Sequence, residues 1–428
     1  MSRLEVPLRS FLWYFVALDL TIQDSNKGGA DTGRGLDEEI RTGSEEDAQM
    51  IQNPFFPELH GNFGFGCMRL PMKDGHVDDD EFSRMADAFI ASGLNYFDTA
   101  HGYINGQSET AIRDCVAKRH DRSEFLLTDK LTDPFFKKEE DIRPFFESQL
   151  EACGVEYFDF YLMHAQDKNN YPKYKRCRAY EIAQELKAEG KIRHFGISFH
   201  DKAEVLDMIL TEHPEIELVQ IQFNYVDYEN ASVESRKVYE VCEKHGKPVS
   251  VMEPVKGGSL VNLPPEADQV LRGLNGGTNA SYALRFAGSF PNMAVVLSGM
   301  SSMAQMEDNL SAMVDFHPLT ETERAAIDKV CDIFHSLNLI PCTKCRYCIE
   351  ESQCPKGILI PDVFGAMNAH EAFHDWNSGM YYGIVTRDGH GKASECIRCG
   401  KCERVCPQHL PIRELLQKVA AAFETPRA

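Results

Sequence analysis

The chain has 428 residues, more than one ordinary domain needs, and its 43% hydrophobic content is enough to fill a packed core. A formal charge of −21 repels phosphate backbones, which argues against nucleic acid as a partner. No apolar run reaches the ~20 residues of a membrane helix, and cysteines that cluster rather than scatter suit a reducing compartment, so a soluble cytoplasmic protein is expected.

Residues 1–49 read differently from the rest. FLWYFVALDL is apolar and follows Arg3 and Arg9, as in a signal peptide, but Asp19 interrupts it and no small-residue cleavage site comes after it. The stretch 23–49 is rich in Gly, Asp and Glu and is expected to be disordered. Glu45 and Glu46 are encoded by purine-rich codons just upstream of Met50, as a bacterial ribosome-binding site would be. The expected start is therefore Met50, with 1–49 a disordered or untranslated extension.

From residue 60 to about 315, short apolar segments alternate with helical ones. In chain order the segments are NFGFGCM (62–68), LNYFDTA (94–100), EFLLTDK (124–130), FDFYLMHA (158–165), IRHFGISFH (192–200), LVQIQFNY (218–225), PVSVMEPV (248–255) and MAVVLSGM (293–300). Each suits a buried strand. Between them, 79–92, 107–119, 138–153, 174–189, 202–212, 232–245, 280–288 and 303–314 carry apolar residues at three- and four-residue spacing, as amphipathic helices do. Eight strand–helix units with no strand hairpins between them predict an α/β fold, a (β/α)8 TIM barrel over residues 50–318. A doubly wound sheet is the alternative, weakened because no Gly-x-Gly-x-x-Gly turn follows the first strand. GLNGG (273–277) marks a loop. A helix from Glu321 to Leu337, within a linking segment 319–340, connects the barrel to the cysteine-rich C-terminal region.

A barrel carries its active site at the C-terminal ends of its strands. Asp98 ends the second strand, Tyr103 lies in the loop after it, Lys130 ends the third and His164 the fourth. An aspartate beside a lysine holds it charged, and a nearby ammonium favours a phenolate, lowering the tyrosine pKa from ~10 toward working pH. Such a tyrosine can donate a proton to a carbonyl oxygen as hydride reaches the carbon, with the histidine orienting the substrate.

On these motifs the chain resembles the aldo/keto reductases. FDTAHGY is similar to the family's Asp and Tyr motif, TDK to its lysine and YLMHAQD to its histidine, over a resemblance running from about Gly64 to Asn309. The resemblance implies a catalytic tetrad of Asp98, Tyr103, Lys130 and His164, and NADPH or NADH as cofactor. It places Ser198 and Gln220 at the nicotinamide carboxamide, and Gln305 and Asn309 at the adenine. Met252 stands where the family commonly stacks an aromatic ring on the nicotinamide. Backbone amides around Gly299, Ser301 and Ser302, at a helix start, would face phosphate. Residues 298–309 contain no Lys or Arg to grip a 2′-phosphate, so the choice between NADPH and NADH stays open. Asp129 replaces a small residue before Lys130 and is expected to add negative charge there.

Eight of the fourteen cysteines fall in two runs, Cys342-x2-Cys345-x2-Cys348-x5-Cys354-Pro355 and Cys396-x2-Cys399-x2-Cys402-x3-Cys406-Pro407. This is iron–sulfur ligand spacing: three thiolates wrap one face of a [4Fe–4S] cubane and the fourth arrives from elsewhere. In the bacterial ferredoxin pattern each Cys-Pro cysteine ligates the other cluster. Carried over, one cluster takes Cys342, Cys345, Cys348 and Cys406, and the second Cys396, Cys399, Cys402 and Cys354. Zinc and disulfide frameworks fit less well, because neither calls for a third cysteine at the same spacing plus Cys-Pro, twice over. The first run has five residues, IEESQ, where the pattern has three. The whole architecture resembles the iron–sulfur branch of the aldo/keto reductases, with a small α-helical ferredoxin-like domain over 341–428 after the barrel.

The expected function is carbonyl or alcohol turnover on a small substrate. Hydride moves two electrons and a cluster takes one, so the clusters relay electrons to a ferredoxin or flavoprotein, serve another cofactor such as a flavin, which no motif indicates, or are structural. The alternative is a non-enzymatic electron carrier with the barrel as scaffold. His101 and His200 lie near the predicted site, and His370 and His374 share a helix face without further ligands. Cys67, Cys115, Cys153, Cys177, Cys242 and Cys331 lie outside ligand spacing and read as core thiols.

Overall fold

Side chains alternate across a strand, so a strand buried on both faces must present apolar residues at every position. Such segments build the centre of the computed structural model, which describes residues 53–230, 233–373, 377–387 and 389–424. The expectations for 1–49 and for His374 lie outside the described residues.

The strands are β1 (Phe63–Gly66), β2 (Tyr96–Asp98), β3 (Leu126–Leu131), β4 (Phe158–Gln166), β5 (Ile192–Phe199), β6 (Leu218–Gln222), β7 (Val249–Met252) and β8 (Met293–Ser298). Each pairs in parallel with the next, and β1 closes the barrel, its Gly64 opposite Leu297 on one side and Tyr96 on the other. One strand face points inward: Tyr96, Leu126, Phe160, Leu162 and Leu218 form an interior cluster with Phe56 and Leu59 from the segment before β1. The other face, with Phe97, Leu127, Tyr161 and Val219, packs against the helices. The same alternation puts Asp98 two positions beyond Tyr96, and Lys130 and His164 in step with Leu126 and Leu162, on the inward row.

The outer helices are α1 (Asp79–Ala91), α2 (Gln107–Ile112), α3 (Ile142–Cys153), α4 (Ala179–Ala188), α5 (Ala203–Glu212), α6 (Ser235–Lys244), α7 (Asn279–Gly288) and α8 (Met303–Met313). Three details differ from expectation. A hairpin pairs Met72–Lys73 with His76–Val77 in the first unit, through Asp74 and Gly75 at φ 52° and 86°; Asp-Gly favours this two-residue turn. The stretch 107–119 is helical to Ile112 and then widens into a π-turn over Arg113–Ala117. The stretch 174–189 is broken at Arg178, which takes φ 53°, leaving a separate short helix, Tyr171–Arg176.

α9 (Glu321–Ser336) starts at a capping box between Thr320 and Glu323 and buries Ala326, Ile327, Val330 and Phe334 in the barrel's apolar core. Beyond it, α10 (Ile360–Phe373), α11 (Asn377–Val385) and α12 (Ile412–Phe423) surround a second, smaller core of Ile358, Val363, Phe364, Ile412, Leu416 and Val419. Cys348 and Cys402 lie inside that core and the other cysteines of the two runs, Cys345 and Cys399 excepted, pack against it. Among the described residues no helix is long and apolar enough to cross a membrane.

Candidate active site and cluster loops

At the C-terminal end of the barrel, Lys130 is fully buried and its Nζ donates to Asp98 Oδ1 (2.6 Å), the Thr99 carbonyl (2.6 Å) and the Tyr103 hydroxyl (3.2 Å). The second Asp98 oxygen accepts from Gln220 Nε2 at 3.0 Å. The Asp98 carboxylate is thus fixed from both sides and holds the lysine beneath the phenol. His164 Nδ1 lies 2.8 Å from Thr132 Oγ1, and its ring stands edge-on to Tyr103 at 5.9 Å between centroids.

A cavity of about 320 Å3 opens above this group, lined by Asp98, Tyr103, His164, Ser198, Gln220 and Met252, and along its length by Gly299, Ser301, Gln305 and Asn309. Among the described residues Ser198 Oγ is buried without a hydrogen-bond partner, which suits a polar group entering the cavity. Ser302 does not line it; its hydroxyl caps α8, accepting from Gln305 N at 3.4 Å. His200 lines the cavity. His101 does not: its Nδ1 meets Glu109 Oε2 at 2.8 Å and its ring packs against Phe135 and Phe145.

Two expectations about charge are corrected. Burial, and then the Asp98 charge, pushes the Tyr103 phenol well above its ordinary value, so the lysine does not make a phenolate and Tyr103 is a protonated donor. Asp129 points away from the interior row toward Cys153 and Glu109; burial and the Glu109 charge raise its carboxyl well above the usual range, so it adds no firm negative charge beside Lys130. Of the amides expected at phosphate, Ser301 N donates to Gln305 Oε1 (2.8 Å), and beyond them Met303 N donates to Glu81 Oε1 (2.9 Å). Burial, then the Lys130 charge, drives His164 well below its ordinary value, and burial brings His200 down to about 3, so both rings are neutral.

The cysteine runs fold into two loops of one design. Lys344 and Arg346 in the first, and Arg398 and Gly400 in the second, take left-handed φ of 55°, 69°, 56° and 73°, one before and one after the middle cysteine. Such turns aim successive amides inward, and Arg398 N–H lies 3.4 Å from Cys396 Sγ. Cys406 lies close enough for its charge to act on Cys342, Cys345 and Cys348, while Cys354, Cys396, Cys399 and Cys402 line one small hollow. Each of these sets of four thiols has the donor type and number that a [4Fe–4S] cluster takes. The long IEESQ spacer is absorbed by a helical turn, Tyr347–Glu350, and by Gln353 at φ 46°, which swings Cys354 into the second set.

The first cluster loop is built into the cavity wall. Cys345, Tyr347 and Pro407 line the same cavity as Tyr103 and His164. Gln222 and Gln408 exchange amide hydrogen bonds of 3.0 and 2.8 Å across the junction, and His409 Nε2 lies 2.7 Å from the His200 carbonyl. Gly257, at φ 61°, leaves room for the Thr343 carbonyl that any Cβ there would overlap. Met68, Arg69, Glu253, Tyr347 and Asp308 also line the cavity and were not singled out from sequence; only the fold brings 347 beside 103.

Known proteins show where this arrangement belongs. Residues 62–332 match the aldo/keto reductase family and residues 341–410 the 4Fe-4S dicluster domain. An uncharacterised oxidoreductase of Bacillus subtilis, YqkF, is 23% identical over 296 residues, 62% of this chain and 90% of its own. An aldo-keto reductase from Klebsiella pneumoniae, solved in complex with NADPH, superposes with a TM-score of 0.52 over 63% of this chain and 90% of its own at 20% identity. The holo form of aldo-keto reductase AKR11C1 from Bacillus halodurans gives 0.52 over 64% and 93% at 26% identity. The family match spans more than half of the sequence, from β1 into α9, and the chain belongs to the aldo/keto reductases, oxidoreductases here extended by a 4Fe-4S dicluster domain.

Proposed function

We propose that the protein interconverts a small carbonyl compound and its alcohol at the barrel mouth, with NADH as the preferred hydride carrier. The observation that carries this reading is the buried Asp98–Lys130–Tyr103 chain, which presents a neutral phenol to a cavity shared with a neutral histidine. The nicotinamide, when bound, supplies the hydride.

Tyr103 gives its proton to the substrate oxygen as the carbon is reduced, and the Lys130 charge 3.2 Å away stabilises the phenolate left behind. Asp98 keeps Lys130 beneath that oxygen and Gln220 keeps Asp98 in place. The Thr132 hydroxyl pairs with His164 Nδ1 at 2.8 Å and so fixes the orientation of the ring that lines the cavity where the substrate oxygen would sit. Ser198, with its free hydroxyl, suits the carboxamide, and Met252 the ring face. At the far end, Asp308 lines the cavity beside Gln305 and Asn309, and its carboxylate would repel a 2′-phosphate, which favours NADH over NADPH.

The test is NADH oxidation by anaerobically purified protein, with methylglyoxal and an aromatic aldehyde as probes, in wild type and Tyr103→Phe. The proposal expects turnover that the phenylalanine removes while NADH affinity and cluster absorbance persist. Equal turnover in the two proteins would falsify it.

A second reading is supported by Cys345, a ligand of the proposed first cluster that lines the same cavity. Cys345 would hold such a cluster at the cavity wall, where it would supply one-electron transfer toward a ferredoxin or flavoprotein. Absorbance near ~400 nm that bleaches on adding NADH alone favours this reading.

A further inference from the structure

A dinucleotide carries two linked phosphates, and the start of α8 offers them little: two of its amides are engaged, and Glu81 brings a carboxylate there. We propose that Arg69 is the phosphate receptor of the cavity and takes the pyrophosphate of the dinucleotide. This rests on the nicotinamide reading above and assigns it a residue.

Arg69 is the one arginine or lysine among the described residues that line the cavity. It lies along the loop after β8: a Cβ on Gly299 would press on its Cβ, Cγ and Cδ at 3.2 to 3.4 Å, and Ser301 Oγ donates to its carbonyl at 2.7 Å. Arg285 and Arg413 each grip a carboxylate, whereas Arg69 Nη2 donates to a neutral acceptor, the Thr343 carbonyl, at 2.9 Å, and it forms no ion pair among the described residues. Glu253 lines the same cavity, near enough for its carboxyl to feel the Arg69 charge, but it makes no ion pair with Arg69 among the described residues. A half-buried guanidinium with one donor engaged among the described residues is a receptor for an anion, and the geometry of its fork suits phosphate oxygens.

Thr343 lies between Cys342 and Cys345, so the residue that meets the phosphates also holds the first cluster loop. Binding at one then stabilises the other, reciprocally. The effect has two readouts on the holoprotein: the Kd for NADH, and the rate at which a chelator strips the clusters.

NADH is the probe because it has the pyrophosphate and no 2′-phosphate. Arg69→Gln should weaken NADH at least about tenfold, and Arg69→Lys, which keeps the charge without the fork, by several-fold. NADH should slow cluster loss in wild type and not in Arg69→Gln. If the glutamine variant does not retain its clusters, the lysine variant alone decides. NADH affinity in a cluster-loaded variant within twofold of wild type overturns the role of Arg69 while leaving the nicotinamide reading intact. A wild type that binds neither NADH nor NADPH overturns both.

Discussion

The barrel mouth and the cluster loops solve the same problem, holding reactive groups in place, by different means. In the barrel, Asp98, Lys130 and His164 sit on or at the ends of paired strands, so their direction follows from strand period and their positions from a closed hydrogen-bonded ladder. The cluster cysteines sit on loops, where the direction of each thiol depends on single left-handed residues such as Lys344, Arg346 and Arg398. The first framework stands on a large core; the second has a small one to which the cysteines themselves contribute. We therefore expect the barrel to keep its shape without a cofactor and the C-terminal domain to loosen when its metal is removed.

The sharpest way to break this contrast is to remove the clusters. Anaerobic chelation should abolish absorbance near ~400 nm and make 341–424 protease-sensitive while the barrel stays folded, and carbonyl turnover should fall with it because Cys345, Tyr347 and Pro407 wall the cavity. Unchanged turnover after cluster loss would show that the wall plays no part in the site. Next in size is Tyr103→Phe, expected to cut turnover by ~10²- to 10⁴-fold with cluster content untouched.

The junction itself is probed by Gly257→Ala, where left-handed φ and the Thr343 carbonyl both oppose a Cβ. We expect about 2 to 4 kcal/mol of destabilisation, read as faster cluster release to a chelator. Gly190→Ala, with φ 77° and open space around it, isolates the backbone strain and should cost about 1 to 2 kcal/mol without speeding release.

The smallest effect is the pH dependence. His164 and His200 are neutral in the folded protein, so kcat/KM for reduction should show no limb near ~6.5 from either ring between about pH 5 and 8. Stability has the opposite behaviour. Below about pH 6.5 the unfolded chain binds protons on both rings that the folded chain refuses, so stability falls as pH drops from there toward the His200 value of about 3. Denaturant midpoints across this range check the sign, and a midpoint that rises on acidification would contradict it.

The barrel was legible because eight apolar segments recur with helical stretches between them, and the tetrad because strand ends gather polar residues at one face. Spacing alone marked the eight thiols. What sequence did not show was contact between distant segments. Tyr347 reads as filler between Cys345 and Cys348 until the fold sets it in the cavity, and Arg69 reads as an ordinary loop residue until it is seen to reach Thr343. The Tyr103 pKa was misjudged for a related reason: the lysine is visible in the motif TDK, whereas complete burial of the phenol is a property of the assembled mouth. The hairpin at Asp74-Gly75 was legible and overlooked, its strands being two residues each.

The most direct test is isotopic. Protein with intact clusters is given NADH deuterated at the transferable position together with an aldehyde probe, and the alcohol is analysed for label. The account predicts deuterium on the carbinol carbon, carried straight from nicotinamide to substrate beneath Tyr103. Unlabelled alcohol, formed at the same rate with the deuterium lost elsewhere, would mean that electrons reach the substrate by another route and would contradict it.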